Sequence, residues 1–197
     1  MDTNSRIKGL KAPVARRLEH RRAFTYEVFE REDGLWDIDA QMQDHKTHDI
    51  TVANQPRRVG EALHDMVLRL TFDNRLTIVE VEALTQVSPY GALCAAINPA
   101  YQNMIGLNVL KGFRTGLKER FANVKGCTHI TELANTLPTV AIQGIGVALA
   151  IRARQSVEAS GEHTEAKPFQ LDACHALASD AEAVRLFYPQ WYLGTDK

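Results

Sequence analysis

Cysteine and histidine are the residue types in this chain best suited to carry chemistry. Cys127 lies two residues from His129, and Cys174 adjoins His175; Cys94 is the third and last cysteine. Thiolate and imidazole are the preferred ligands of zinc and related borderline metals. Three cysteines with one histidine make a common zinc set, and similar ligands hold iron–sulfur clusters. The candidate metal ligands are therefore Cys94, Cys127, Cys174, His129 and His175, and zinc or an iron–sulfur cluster is the expected cofactor. No C-x-x-C pair is present, so such a site needs residues far apart in the chain to converge. The alternative is that the thiols are core residues, since free cysteine is among the most buried side chains.

A metal-free chemistry uses some of the same residues. Cys127 stands between Gly126 and Thr128 at the expected start of a helix, where the positive end of the helix dipole favours a thiolate. His129 and Glu132 are three apart and so share a helix face. Cys127 is then the candidate nucleophile, His129 or a distant histidine the base and Glu132 the group that orients it. Arg21 and Arg22 are candidates for binding a carboxylate or phosphate; a solvated basic arm is the alternative. His64, beside Met66 and Leu68, reads as a core or edge histidine, and on a regular strand it points away from Asp65. There is no glycine-rich phosphate loop, no dinucleotide fingerprint and no Gly-x-Ser-x-Gly elbow, so no nucleotide cofactor is expected and a serine hydrolase is poorly supported.

These residues must be positioned by a modest scaffold. The 197 residues are 45% hydrophobic and carry a net charge of -1, which suits a globular core and gives no global attraction to nucleic acid or anionic membrane. The basic first 22 residues read as a loosely ordered arm and 23–197 as one domain. Phe24, Tyr26 and Val28 alternate with polar residues, as do Trp36, Ile38, Ala40 and Met42 after the Glu32-Asp33-Gly34 turn. This pattern predicts a β-hairpin. A loop is expected over 44–60. His64, Met66, Leu68, Leu70 and Phe72 share one face of a third strand, and a fourth returns after Asp73-Asn74. Helices follow: 92–105, bent or divided at Pro99; 113–121, closed by Gly126; and a long one from a Thr128 cap towards Ala153. A flexible loop is expected over 156–168. The fold class is thus α+β, an antiparallel sheet of about four strands followed by a helical C-terminal half. The longest apolar run, 139–151, contains Gln143 and falls short of the roughly 20 residues that span a bilayer. A cytoplasmic protein with reduced thiols is expected.

Several segments resemble the bacterial DUF2889 family: Arg31 to Ile38, His64-Asp65-Met66 with Leu68 to Thr71, Pro89-Tyr90 ahead of Cys94, Gly126-Cys127-Thr128-His129 with Thr131-Glu132-Leu133, Cys174-His175-Ala176-Leu177, and Tyr188-Pro189 with Trp191-Tyr192. The resemblance runs from about His20 onwards and implies a domain without an assigned reaction. The order of sheet and helices, with a cysteine after the sheet, one at a helix start and one beside histidine, is similar more loosely to NifU-like and SufE-like iron–sulfur scaffold proteins. The expectation is a metal- or sulfur-binding protein, either an accessory scaffold or a metal-dependent hydrolase or lyase acting on a small polar substrate. A thiol enzyme using Cys127, or a non-catalytic assembly module with a protein partner or a second copy, are the alternatives. Whether the chain is an enzyme stays open at this level.

Overall fold

A computed structural model describes Leu10, residues 14–160 and residues 167–194, with the side chains of 157–160 excepted. The chain forms two compact units, Met1–Ile151 and Arg152–Lys197, where one domain over 23–197 was the expectation. The first unit holds the sheet: β1 His20–Glu30, β2 Trp36–Lys46, β5 Ala62–Phe72 and β6 Ile78–Val87, antiparallel in the order β1-β2-β5-β6. Helical segments follow, so the α+β architecture of two hairpins and a helical second half holds.

The period-2 pattern explains the sheet. On β2, Trp36, Ile38, Ala40 and Met42 are buried; on β5, Met66, Leu68, Leu70 and Phe72 are. All eight lie on the even-numbered face. The same core contains Tyr101, Met104, Phe113, Leu117, Phe121, Ile130, Leu133, Leu137, Ala141 and Ile145, which come from the helical half. The expected helix over 92–105 is divided, as Pro99 requires, into α1 Ala92–Ala95 and a 3-10 segment Asn98–Met104. It is followed by α2 Phe113–Phe121.

Several features depart from the sequence reading. β1 begins at His20, so the basic residues 20–22 are strand and not arm. β2 continues through Asp44 to Lys46, and the expected loop over 44–60 contains a small hairpin, β3 Ile50–Val52 and β4 Gln55–Arg57. Ala53 and Asn54 turn that hairpin with positive φ of 51° and 60°, as a two-residue hairpin turn demands. Gly126 is extended and not a left-handed cap (φ -149°). Glycine is needed there for room, because a Cβ would lie 2.8 Å from Phe121 Cβ and 2.9 Å from its carbonyl oxygen.

The long helix expected from Thr128 is built in sections: α3 Thr128–Asn135, α4 Leu137–Ala141, a π-helical turn Ile142–Gly146 and α5 Val147–Ser160. Its N-cap is Cys127, one residue before the expected Thr128. Thr128–Ser156 is long and apolar enough to cross a membrane by length and composition alone, a property the sequence reading had excluded. Ile130, Leu133, Leu137, Ala141 and Ile145 are fully buried and recur at three or four residues, the stripe of a core helix. The first part of the expected loop over 156–168 is helical, and 161–166 fall outside the described residues. The second unit contributes a 3-10 turn His175–Leu177, α6 Glu182–Phe187 and a 3-10 turn Pro189–Trp191.

Candidate functional site

The helix-facing side of the sheet is apolar along most of its length and turns polar at one end. Asp44 follows Met42 on the buried face of β2 and is only 1% exposed. His64 is its cross-strand partner on β5, and Arg22 its partner on β1. Register shifts occur at Asp44/His45 between β2 and β5, and at Asp65/Met66 between β5 and β6. Such bulges re-aim side chains at the ends of sheets and near active sites.

Asp44 is saturated with donors. Arg22 donates from Nε to Oδ1 at 2.8 Å and from Nη2 to Oδ2 at 2.7 Å. His20 Nε2 lies 3.0 Å from Oδ1, and His64 Nδ1 lies 3.1 Å from Oδ2. Burial works against the charge on Asp44, but the Arg22 guanidinium and the two histidines outweigh it and hold the pKa below the usual carboxylate value. The bidentate guanidinium is the strong form of this contact.

Helix α3 closes the cluster from above. The His129 ring stacks on His64, with centroids 3.9 Å apart and planes tilted by 33°. Burial lowers the pKa of His64 despite the opposing pull of Asp44. Burial also lowers that of His129, helped by the charges of His64 and Arg22. Both rings are therefore neutral at pH 7 and retain lone pairs. Glu132 does not orient His129 as expected; its carboxylate accepts from Arg22 Nη1 at 2.5 Å. Side-chain exposure rises from 2% at Asp44 through 13% at His64 and 29% at Arg22 to 36% at His20 and 47% at Glu132. The cluster thus opens to solvent on one side.

Among the described residues, one group of three or more His, Cys, Asp or Glu side chains brings its ligand atoms within 4.8 Å of one another: Asp44, His64 and His129. Of the expected ligands, only His129 belongs to it. Cys127 sits beside it, its Sγ 3.9 Å from His129 Nδ1. Its backbone is anchored by Tyr101, whose hydroxyl accepts from Cys127 N–H at 2.9 Å and lies 2.8 Å from Thr131 Oγ1. Cys94 is half-buried in α1 and stands outside the group. Cys174 and His175 are exposed residues of the second unit. Arg22 is in the cluster, whereas Arg21, its neighbour on an alternating strand, points to the other face of the sheet. His64 turns out to face the cluster, and Asp65 points away from it, bound by Gln41 and Gln43 at 2.8 and 2.7 Å.

The sequence reading missed Asp44, His20 and the role of His64. One signal was available: Asp44 continues the even-numbered set Trp36, Ile38, Ala40, Met42, and a carboxylate in register with a buried face demands a partner.

The family pattern described as a protein of unknown function, DUF2889, matches residues 20–143. The chain belongs to the DUF2889 family. That match spans β1 to the π-helical turn and includes every residue of the polar cluster. No curated protein and no solved structure matches the chain.

Proposed function

We propose that this DUF2889 protein binds a divalent transition metal through Asp44, His64 and His129 and acts on a small, anionic polar substrate, in a hydrolytic or lyase reaction. The observation that carries the reading is the convergence of those three side chains from β2, β5 and α3, with ligand atoms within 4.8 Å of one another. Two imidazoles and one carboxylate form a donor set that suits zinc, iron or manganese and leaves coordination positions open. With the ring proton of His64 on Nε2 instead of Nδ1, the 3.1 Å between His64 Nδ1 and Asp44 Oδ2 matches two ligands sharing one ion at about 2.0–2.1 Å each. The two histidines are held neutral by burial, the form in which imidazole ligates. The donors are nitrogen and oxygen, so the reading favours a single ion over an iron–sulfur cluster, which takes thiolates.

A bound divalent ion would supply Lewis acidity and a more acidic water. The protein's own groups supply the rest. Arg22 must give up part of its hold on Asp44, and Glu132, already bonded to Nη1, retains it nearby. A guanidinium released in this way offers paired N–H donors to a carboxylate or phosphate. His20 stands at the open rim, within reach of Asp44, where it can hand a proton to or from a bound molecule. A cytoplasmic setting is part of the proposal.

Protein purified without an affinity-tag metal, then dialysed against zinc or manganese, is expected to hold close to one ion per chain by elemental analysis. His64→Ala combined with His129→Ala should reduce this more than about tenfold, since losing even an outer-shell partner costs about 10–100-fold in affinity. Retention below a tenth of an equivalent by the intact protein, or equal retention by the double variant, would overturn the assignment.

The contact of Cys127 Sγ with His129 Nδ1 supports a second reading, a thiol nucleophile with an adjacent base. It expects iodoacetamide to label Cys127 faster than Cys94 near pH 7, with His129→Ala slowing Cys127 several-fold. Equal rates for the two thiols would rule it out.

A further inference from the structure

β1 is an edge of the four-stranded sheet, with no further strand beside it among the described residues. β1 pairs with β2 along one side over all eleven residues without a register shift. Among the described residues, no backbone hydrogen bond outside that ladder involves residues 20–29. With no proline and no bulge, residues 20–29 present N–H and C=O groups along the outer side of the strand, the template onto which another strand adds. Of the devices that blunt natural edges, this strand has charge but neither proline nor bulge.

Charge along the strand says what fits it. Basic residues stand in its first half, at His20, Arg21 and Arg22, and acidic ones in its second, at Glu27 and Glu30. On the face away from the helices, Arg21 lies opposite His45 and Glu27 opposite Asp39. Asp39 is itself held by Arg69, with bonds of 2.6 Å from both Nε and Nη2. Neither Arg21 nor Glu27 has an ion-pair partner among the described residues, and each has on β2 a neighbour that cannot neutralise it. A strand running the opposite way, basic end against acidic end, would satisfy both. A second β1 has that polarity.

We infer that two copies of this chain pair antiparallel along β1, joining their sheets into one of eight strands about a two-fold axis. Setting Arg21 of each copy against Glu27 of the other places the axis at Phe24. The side chain of Phe24, 38% exposed in the single chain, then meets its own symmetry mate on the helix side. The closed, self-complementary contact uses up the β1 edge of both copies and adds no further copies through it. This inference is independent of the metal reading.

Light scattering and sedimentation of the full chain test it. A mass near twice 22.0 kDa is expected at tens of micromolar, falling as salt is raised. Arg21→Glu and Glu27→Arg, each alone, should raise the dimer dissociation constant about tenfold or more by setting like charges face to face. Mixing the two variants in equal amounts should restore a dimer, since each supplies the charge the other lacks. Amide exchange over residues 20–30 should slow with concentration. A monomer at 100 μM (about a hundredfold above a micromolar dissociation constant), a dimer indifferent to both reversals, or no recovery on mixing would each overturn the inference.

Discussion

Asp44 keeps its charge in a nearly dry position because four donor contacts replace the water it loses. Arg22 alone satisfies an oxygen on each side. Removing one partner of such a buried pair costs about 3–5 kcal/mol, because the survivor is left uncompensated. The histidines contribute a pH dependence of known sign. His64 and His129 have folded pKa values below the ordinary 6.5, so the unfolded chain binds more protons in the interval between. Stability is then complete above pH 6.5 and is lost as pH falls towards the folded values. Asp44, depressed from 3.8, adds a second loss of the same sign below that value. In metal-free protein, the thermal midpoint should decline from pH 7 to pH 5, and His64→Gln should flatten that decline. A midpoint that rose on acidification would contradict the burial of neutral imidazoles.

At the scale of elements, the cluster is held by how α3 and the π-helical turn meet the sheet. Tyr101 ties the start of α3 to the core through its hydroxyl, which contacts both Cys127 and Thr131. Tyr26 reaches from β1 to the Leu133 carbonyl at 3.2 Å, near the end of the same helix. Further on, Gly144 in the π-helical turn touches β1 so closely that a Cβ there would lie 2.6 Å from Val28 Cγ2. Val28 is β-branched and stiff about χ1, so it cannot swing clear. Gly144→Ala should therefore destabilise the fold by about 1–3 kcal/mol through overpacking, read as a lower urea midpoint. Val28→Ala in the same chain should recover part of that loss. An unchanged midpoint in the single variant would show that the helix shifts without cost.

Across the whole first unit, one sheet face carries both the core and the site. The apolar residues of β2 and β5 bury the helical half, and the polar residues at one end of the same face form the cluster. Within the stretch Thr128–Ser156, which is long and apolar enough to cross a membrane by length and composition, Ile130, Leu133, Leu137, Ala141 and Ile145 pack in this core. The same arrangement places the site at the end of the sheet and the β1 edge along its side. Dimerisation would bring the two Arg22 residues to the same face of the shared sheet, on opposite sides of its central seam.

Local patterning alone determined the four long strands, their inward faces, the break at Pro99 and the helical second half, because periods of 2 and 3.6 follow from backbone geometry, while the small hairpin of β3 and β4 read as loop. It also singled out His129, Arg22, Glu132 and Cys127 as reactive. Asp44 escaped because a carboxylate in an apolar alternation reads as the end of a strand; only the neighbouring strand and its arginine make that position tolerable. His20 and Arg22 escaped as members of one site because a run of basic residues looks like a solvated arm until β2 lies beside it. Which of the reactive side chains meet was decided by strand register, two bulges and the docking of α3. Those are contacts between residues up to about a hundred positions apart, set by packing and hydrogen-bond satisfaction across elements, and no spacing along the chain encodes them.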